Sequence, residues 1–551
     1  MHKNKYLLLA SSAATLLLLA FAAIQENVLK DWRVLQATGR TEEGPIPRQL
    51  RQVVNANLRV ADRCVTCHVA MGPGEQSVTG SALLVPHKPV VHDPAEFGCT
   101  VCHAGQGQAT EQADAHGDVH FWPEPMIPAR MSYAGCGRCH ATLGVPERTQ
   151  LQAAIWAFER LDCYACHRVD GRGGTLRPDG HGMEGPDLSR AGLAGYDAAW
   201  HAKHVEHARA APAGPWKTAF APAGDDDLRR LASFLSMRVA APGLVAAKSL
   251  FHSSGCLGCH KVSGVGGDDG VDLSRAGERD PGQTSFREVP GDRTLANWQL
   301  EHFRSPSSVV AGSTMPPVAR SDEDLELLAM YVLSLRRREL PDVYLPADRV
   351  RAVKLGEREF ASDGRTIFGA FCTGCHGEDG LGRRLPGVLS FPSVANPDFL
   401  AVAPDALIRS TIERGRPGRR MAAWMKPGGL RPEEISAVSA YVRALGGVAV
   451  EPDPRPARWV TADAAAGRRI FESTCAGCHG AKGAGGEGPA LNNIVLRDAA
   501  TDTFLVETIS RGRRGTVMEG FLTPTPVRPA LARADIEAVV AHLRVLQGDT
   551  P

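Results

Sequence analysis

The chain has 551 residues, too many for one hydrophobic core, so several domains are expected. With 62 Lys and Arg against 61 Asp and Glu the net charge is +1, which leaves no basic stripe for nucleic acid. Gly at 58, Pro at 38 and aromatics at 6% describe short helices joined by much loop, and all 14 cysteines fall in one repeated motif, leaving none for a structural disulfide.

The first element in chain order is apolar. His2, Lys3 and Lys5 precede an uncharged run of 19 residues from Tyr6 to Ile24, and Gln25, Glu26, Lys30 and Asp31 mark the return to water. Such a run is long enough to cross a bilayer as a helix and longer than the apolar core of most signal peptides. The basic residues before it place the N-terminus in the cytoplasm and the rest of the chain on the far side. Ala20-Phe21-Ala22 offers a cleavage site, but the length favours a retained anchor over residues 1–30. The expected location is the inner (cytoplasmic) membrane, with the bulk of the chain periplasmic. No cysteine follows the run closely enough to carry a lipid.

Beyond the anchor come seven Cys-x-x-Cys-His pentapeptides: Cys64, Cys67, His68; Cys99, Cys102, His103; Cys136, Cys139, His140; Cys163, Cys166, His167; Cys256, Cys259, His260; Cys372, Cys375, His376; and Cys475, Cys478, His479. A Cys pair alone fits a zinc site or a redox motif, but neither requires a histidine next to every pair, and only 19 residues of the chain are His. The motif is the attachment signature of c-type haem, with two thiols forming thioethers to the porphyrin and the imidazole becoming the proximal iron ligand. Seven covalently bound haem c groups are expected, and their attachment outside the cytoplasm agrees with export.

Motif spacing divides the chain. Three motifs crowd between Cys64 and His140, whereas the other four are widely separated and share a plan: a short helix into the motif, a Gly-rich loop and a closing amphipathic helix. The closing segments align on an acid and a ring seven residues later, as Asp227 and Phe234, Asp324 and Tyr331, Glu434 and Tyr441, Asp535 and His542. An acid suits a helix N-terminus, and apolar positions at spacings of three and four give one buried face. Asp187-Leu-Ser-Arg-Ala-Gly192 recurs letter for letter as Asp272 to Gly277, with Trp200 and His204 matching Trp298 and His302, which marks two modules as duplicates. Pro341 to Asp348 and Glu451-Pro-Asp-Pro-Arg-Pro456 read as semi-rigid spacers. The expected fold is mainly α: a transmembrane helix (1–30), a loop-rich trihaem domain (31–148) and four small helical monohaem domains at 149–240, 241–340, 350–448 and 457–548.

A low-spin haem needs a sixth ligand, and methionine there raises the reduction potential. Met315 in Gly312-Ser-Thr-Met-Pro-Pro, Met421 after Gly415-Arg-Pro-Gly-Arg-Arg and Met518 after Gly512-Arg-Arg-Gly-Thr-Val lie 39 to 55 residues beyond their proximal histidines. Met425 rivals Met421. These segments resemble class I cytochrome c, whose fold is a small helical shell with a loop methionine opposite the histidine; Gly488-Pro489-Ala-Leu491 is similar to that family's post-haem turn. The fourth module departs from the pattern, since alignment of Trp200 with Trp298 puts Lys217 where its sister has Met315. A lysine with depressed pKa can ligate iron, in competition with His181, Met183 and the cluster His201, His204, His207; otherwise the site is open. For the first three haems the spare histidines are His87, His92, His116 and His120, with Met71, Met126 and Met131 as outside candidates. This clustering resembles the bis-histidine domains of multihaem cytochromes, and it leaves the pairing open.

Two functional readings follow. In the first, electrons pass from a membrane partner through the trihaem domain and then the Met/His modules to a soluble cytochrome or terminal oxidase. The segments Phe97-Gly-Cys-Thr-Val-Cys-His-Ala-Gly-Gln-Gly107 and Trp122-Pro-Glu-Pro125, with the C-terminal modules, resemble the haem c subunits that accompany cytochrome b in bacterial quinol-oxidising complexes. The terminal pair of modules is also similar to the dihaem subunit of cbb3-type oxidases. A cytochrome b partner is what that resemblance implies. In the second reading a haem enzyme reduces a small oxidant at an under-ligated fourth haem, with His201, His204 and His207 as acid-base groups.

Overall fold

A computed structural model of the protein describes residues 2–546, apart from 76, 89, 91, 120–121, 141–142, 175–184, 195, 197, 211–222, 337–339 and 385–390. The expected α class is what it has. Helices joined by long loops carry the chain, and the sheet among the described residues consists of four antiparallel hairpins with strands of two or three residues.

The N-terminal helix runs His2–Asn27, continuous through the apolar run, and its large side chains from Tyr6 to Ile24 are all exposed. It is long and apolar enough to cross a membrane.

The chain forms two compact units, Met1–Ala141 with Arg275–Val350, and Thr142–Ser274 with Arg351–Pro551. The division falls between Ser274 and Arg275, inside the stretch expected to be the fifth haem's module. In the first unit, the segment read as a spacer after the fifth haem is docked. The Asn55 side-chain amide donates to the Tyr344 hydroxyl (3.2 Å), Phe97 meets the Tyr344 ring edge-on (5.7 Å), and Arg349 Nη1 donates to the Cys139 carbonyl (2.7 Å). The stretch is not an open spacer: Asp342–Tyr344 form a short helical turn and Ala347 and Asp348 already begin the helix Ala347–Leu355, and Tyr344 and the adjacent Arg349 find partners in the trihaem region.

In the second unit, helices Arg148–Arg160 and Asp225–Ser236 pack around the fourth motif, Gly364–Ile367 and Pro432–Leu445 around the sixth, and Ala464–Ile470 and Arg533–Val545 around the seventh. Each closing helix carries its aligned acid at the third position, where a carboxylate meets free N–H groups. Glu434 and Asp535 accept from the backbone N–H of Arg431 (2.7 Å) and Ala532 (3.1 Å). The ring seven residues on meets a phenylalanine ahead of the motif: Phe158 with Phe234 (4.6 Å), Phe368 with Tyr441 and Phe471 with His542 (both 5.4 Å at 55°). The repeated hexapeptides form the same turn. Asp187 accepts from the Ser189 N–H and Asp272 from the Ser274 N–H, both at 2.8 Å, and each serine hydroxyl accepts a backbone N–H at 2.7 Å.

Candidate haem-binding sites

In all four monohaem segments the proximal imidazole is held the same way. Nδ1 of His167, His260, His376 and His479 lies 2.8 to 2.9 Å from the carbonyl oxygen of Pro186, Val271, Pro392 and Pro489 respectively. A carbonyl only accepts, so Nδ1 carries the proton and Nε2 keeps its lone pair for a metal. The chain also approaches these rings closely: a Cβ at Gly185, Gly270 or Gly488 would stand 2.6, 2.5 or 2.8 Å from the ring of His167, His260 or His479. Only glycine fits against the ring there. The sequence signal for this cradle was legible after the seventh motif, in Gly488-Pro489, but not at Val271 or Pro392.

The trihaem region brings candidates together by another route. The His87 and His103 rings are 6.1 Å apart between centres, as are those of His92 and His140. Two metal–nitrogen bonds of about 2 Å in line, with the short step from nitrogen to ring centre at each end, span roughly that distance. His87 Nδ1 donates to the Lys88 carbonyl (2.6 Å), again leaving Nε2 free. His116 ends the helix Gln112–His116, and its charge adds to burial in lowering the pKa of His68. Burial, then the His92 and Arg349 charges, push His140 down to about 4, so His68 and His140 are neutral donors at ordinary pH. His120 lies outside the described residues. Met131 is fully buried and Met126 is 40% exposed.

Neighbouring motifs touch. The Cys64 and Cys99 thiols are in hydrogen-bond contact, as are those of Cys259 and Cys375. A Cβ at Gly258 or Gly369 would press on the Phe371 or His252 carbonyl, so the fifth motif and its leading helix are seated against the sixth. Sequence distance hid these contacts, since the partners stand 35 and 116 positions apart. Among the described residues no group of three or more His, Cys, Asp or Glu gathers for a metal ion, which is not how zinc sites are built.

A cytochrome c family profile matches residues 153–237, 244–336 and 464–547, and that of the cbb3-type cytochrome c oxidase subunit III matches 359–442. The chain is a multihaem c-type cytochrome with tandem cytochrome c domains. The cytochrome is 36% identical over 177 residues to the cbb3-type oxidase subunit FixP of Bradyrhizobium sp. (strain ORS 278), a match covering 30% of this chain and 57% of that protein. With the CcoP subunit of Azospirillum sp. (strain B510) it shares 31% identity over 172 residues, 28% of this chain and 53% of the other. It thus spans little more than half the length of these relatives. A solved reducing HAO-like protein complex of Kuenenia stuttgartiensis shares 20% identity, covering 33% of this chain and 95% of the other at a TM-score of 0.23, a level that bears on neither fold nor function.

The loop methionines occupy matching turns in the cytochrome's last two domains. The N–H of Arg416 donates to the Met421 carbonyl and that of Arg513 to the Met518 carbonyl, both at 2.7 Å. Met518 and Cys475 both pack on the core that holds Phe471. The rival Met425 is 48% exposed, which favours Met421. Met315 and His260 fall in different compact units. In the fourth domain Lys217, His181 and Met183 lie outside the described residues, as does the His207 side chain. His201 is buried, and His204 lies flat on Trp200 (5.1 Å, 5°) as His302 does on Trp298 (4.9 Å, 9°). That shared stack gives His204 a packing role.

Proposed function

We propose that the cytochrome carries seven haem c groups and conducts electrons from a membrane redox partner, of the quinol-oxidising cytochrome b type, to a periplasmic cytochrome or a terminal oxidase. Haem c supplies reversible one-electron exchange at iron; the chain's residues attach it, set its axial donors and hold neighbouring sites close. His68, His103, His140, His167, His260, His376 and His479 serve as proximal ligands. His116, His87 and His92 complete the first three sites in that order, and Met315, Met421 and Met518 the last three. Histidine pairs near the anchor and methionines toward the C-terminus give potentials that rise along the chain.

The observation that carries this reading is the pair of histidine couples at 6.1 Å. Touching motifs support the conduit, because two thiols in contact bring two attachment edges together. The matches to FixP and CcoP support an oxidase as the acceptor, and the exposed apolar N-terminal helix supports anchoring with the bulk of the chain periplasmic.

The test is a carbon monoxide difference spectrum of the reduced, fully loaded protein, since carbon monoxide binds ferrous haem where the sixth position is vacant or weakly held. The conduit predicts no prompt binding. Binding at one haem in seven, abolished by replacing His167, would instead support the reading in which a small oxidant is reduced at the fourth haem.

A further inference from the structure

The last two domains are related by a local two-fold arrangement. Helix Pro397–Val402 of one packs on Asp502–Arg511 of the other, and Asp405–Arg414 on Ile494–Ala499, so equivalent helices exchange places. The polar contacts exchange likewise. Asn396 caps its helix and donates through Nδ2 to the Arg514 carbonyl (2.9 Å), while Asn493, the equivalent cap, donates to the Pro417 carbonyl (3.2 Å). Each asparagine therefore holds the methionine loop of the opposite domain.

At this junction stand two equivalent arginines, Arg416 and Arg513, each beginning its own methionine loop. Their residues are half-buried, but packed atoms crowd both guanidiniums. Burial, joined at Arg416 by the Arg513 charge and opposed at Arg513 by the Asp398 charge, pushes each down to about 10. Arg513 lies over the Phe399 ring (4.9 Å), and its Nε is shut off from water without a hydrogen-bond partner. Arg416 donates to the neutral Thr411 hydroxyl (3.3 Å). The nearest carboxylate, Asp398, is occupied by the side chain and N–H of Arg514. Among the described residues neither guanidinium has a carboxylate within hydrogen-bond reach, and two crowded cations so placed are unfavourable unless a counter-charge reaches them. A guanidinium fork matches a carboxylate in two parallel hydrogen bonds.

We propose that Arg416 and Arg513 form one shared carboxylate-binding site that takes the haem propionates of the sixth and seventh domains and couples the two haems electrostatically. This rests on the reading that both domains carry haem c. Each cation raises the potential of the haem whose propionate it neutralises, because uncompensated negative charge favours ferric iron. Since Arg513 reaches into the sixth domain over Phe399 and its charge acts on Arg416, each influences both haems.

Redox titration of the full-length holoprotein, followed optically, tests this with R416Q, R513Q and the charge-keeping R416K and R513K. The expected result is a fall in the midpoint potentials of two haems, not one, in each Gln variant, with most of the fall rescued by Lys and the sulfur-to-iron band retained. Unchanged potentials in the Gln variants would overturn the proposal, as would a shift not rescued by Lys or a shift confined to one haem. If a Gln variant does not load, the Lys variant of the same position still decides, because loss of the bidentate fork should leave a smaller fall in both haems. Wild-type potentials that move with added phosphate or chloride would assign the site to a free anion and also overturn it. Loss of no haem on Cys372→Ser with Cys375→Ser, or Cys475→Ser with Cys478→Ser, would show that the underlying reading had failed instead.

Discussion

A proximal histidine works as an iron ligand only if one nitrogen is committed elsewhere, and in this cytochrome four carbonyl oxygens do that within 2.8 to 2.9 Å. In the trihaem region the proposed sixth donor is a partner imidazole, and the His92 to His140 couple provides the sharpest residue-scale prediction. Replacing His92 with Ala should turn one haem from low-spin to high-spin and make that haem alone bind carbon monoxide when reduced; electron paramagnetic resonance of the oxidised protein reads the first change. A fully low-spin variant would show that His140 is partnered elsewhere. The attachment residues were legible in the sequence because their spacing is covalent chemistry. The couples were not, since His87 and His92 precede their partner histidines by 16 and 48 positions and only folding brings them within reach. The arginines at the last two methionine loops were visible as letters, Gly415-Arg416 and Gly512-Arg513, but their crowding comes from a domain contact that no local pattern encodes.

Helix crossings set each small domain. Phe471 is fully buried where the seventh motif's leading helix crosses its closing helix, against His542. Phe471→Ala should destabilise that domain by about 3–5 kcal/mol, seen in chemical denaturation as loss of the Met518-linked spectrum before the others. The fifth and sixth motifs are joined beyond their thiols by a polar bridge. Asp268 accepts from Lys261 and from Lys426 (2.6 Å), next to the Gly266 N–H to Gly428 carbonyl bond (3.0 Å). The lysines, Lys261 first, hold the Asp268 carboxyl down to about 2 from its usual 3.8. A depressed carboxylate pKa contributes stability that is complete above the unfolded value and is lost as pH falls through the folded one, here between about 4 and about 2. Because the group is exposed and screened the effect is small. Acid titration followed by hydrogen exchange at residues 264–268 should show protection falling in that window, and Asp268→Asn should lose that pH dependence. Here the sequence foresaw the leading and closing helices, whose periodicity and acidic third positions are local, while the docking of Asp342–Tyr344 depended on Asn55 and Phe97, nearly 300 and 250 residues away.

On the scale of the whole molecule, one apolar helix is followed by a chain in which every cysteine belongs to a haem-attachment motif and each compact unit contains contiguous motifs. The class and the repeated domain plan follow from that motif spacing, whereas the two compact units do not respect it, because the fifth domain's methionine and its histidine fall on opposite sides of the division. The central claim is a seven-haem conduit, and the intact mass of the purified, denatured protein tests it most directly, since thioether-linked haem survives unfolding. The account predicts a mass excess of seven haems over the polypeptide. An excess of three or four would mean that a whole set of motifs is unloaded, and would contradict a continuous path from the anchor to the last domain.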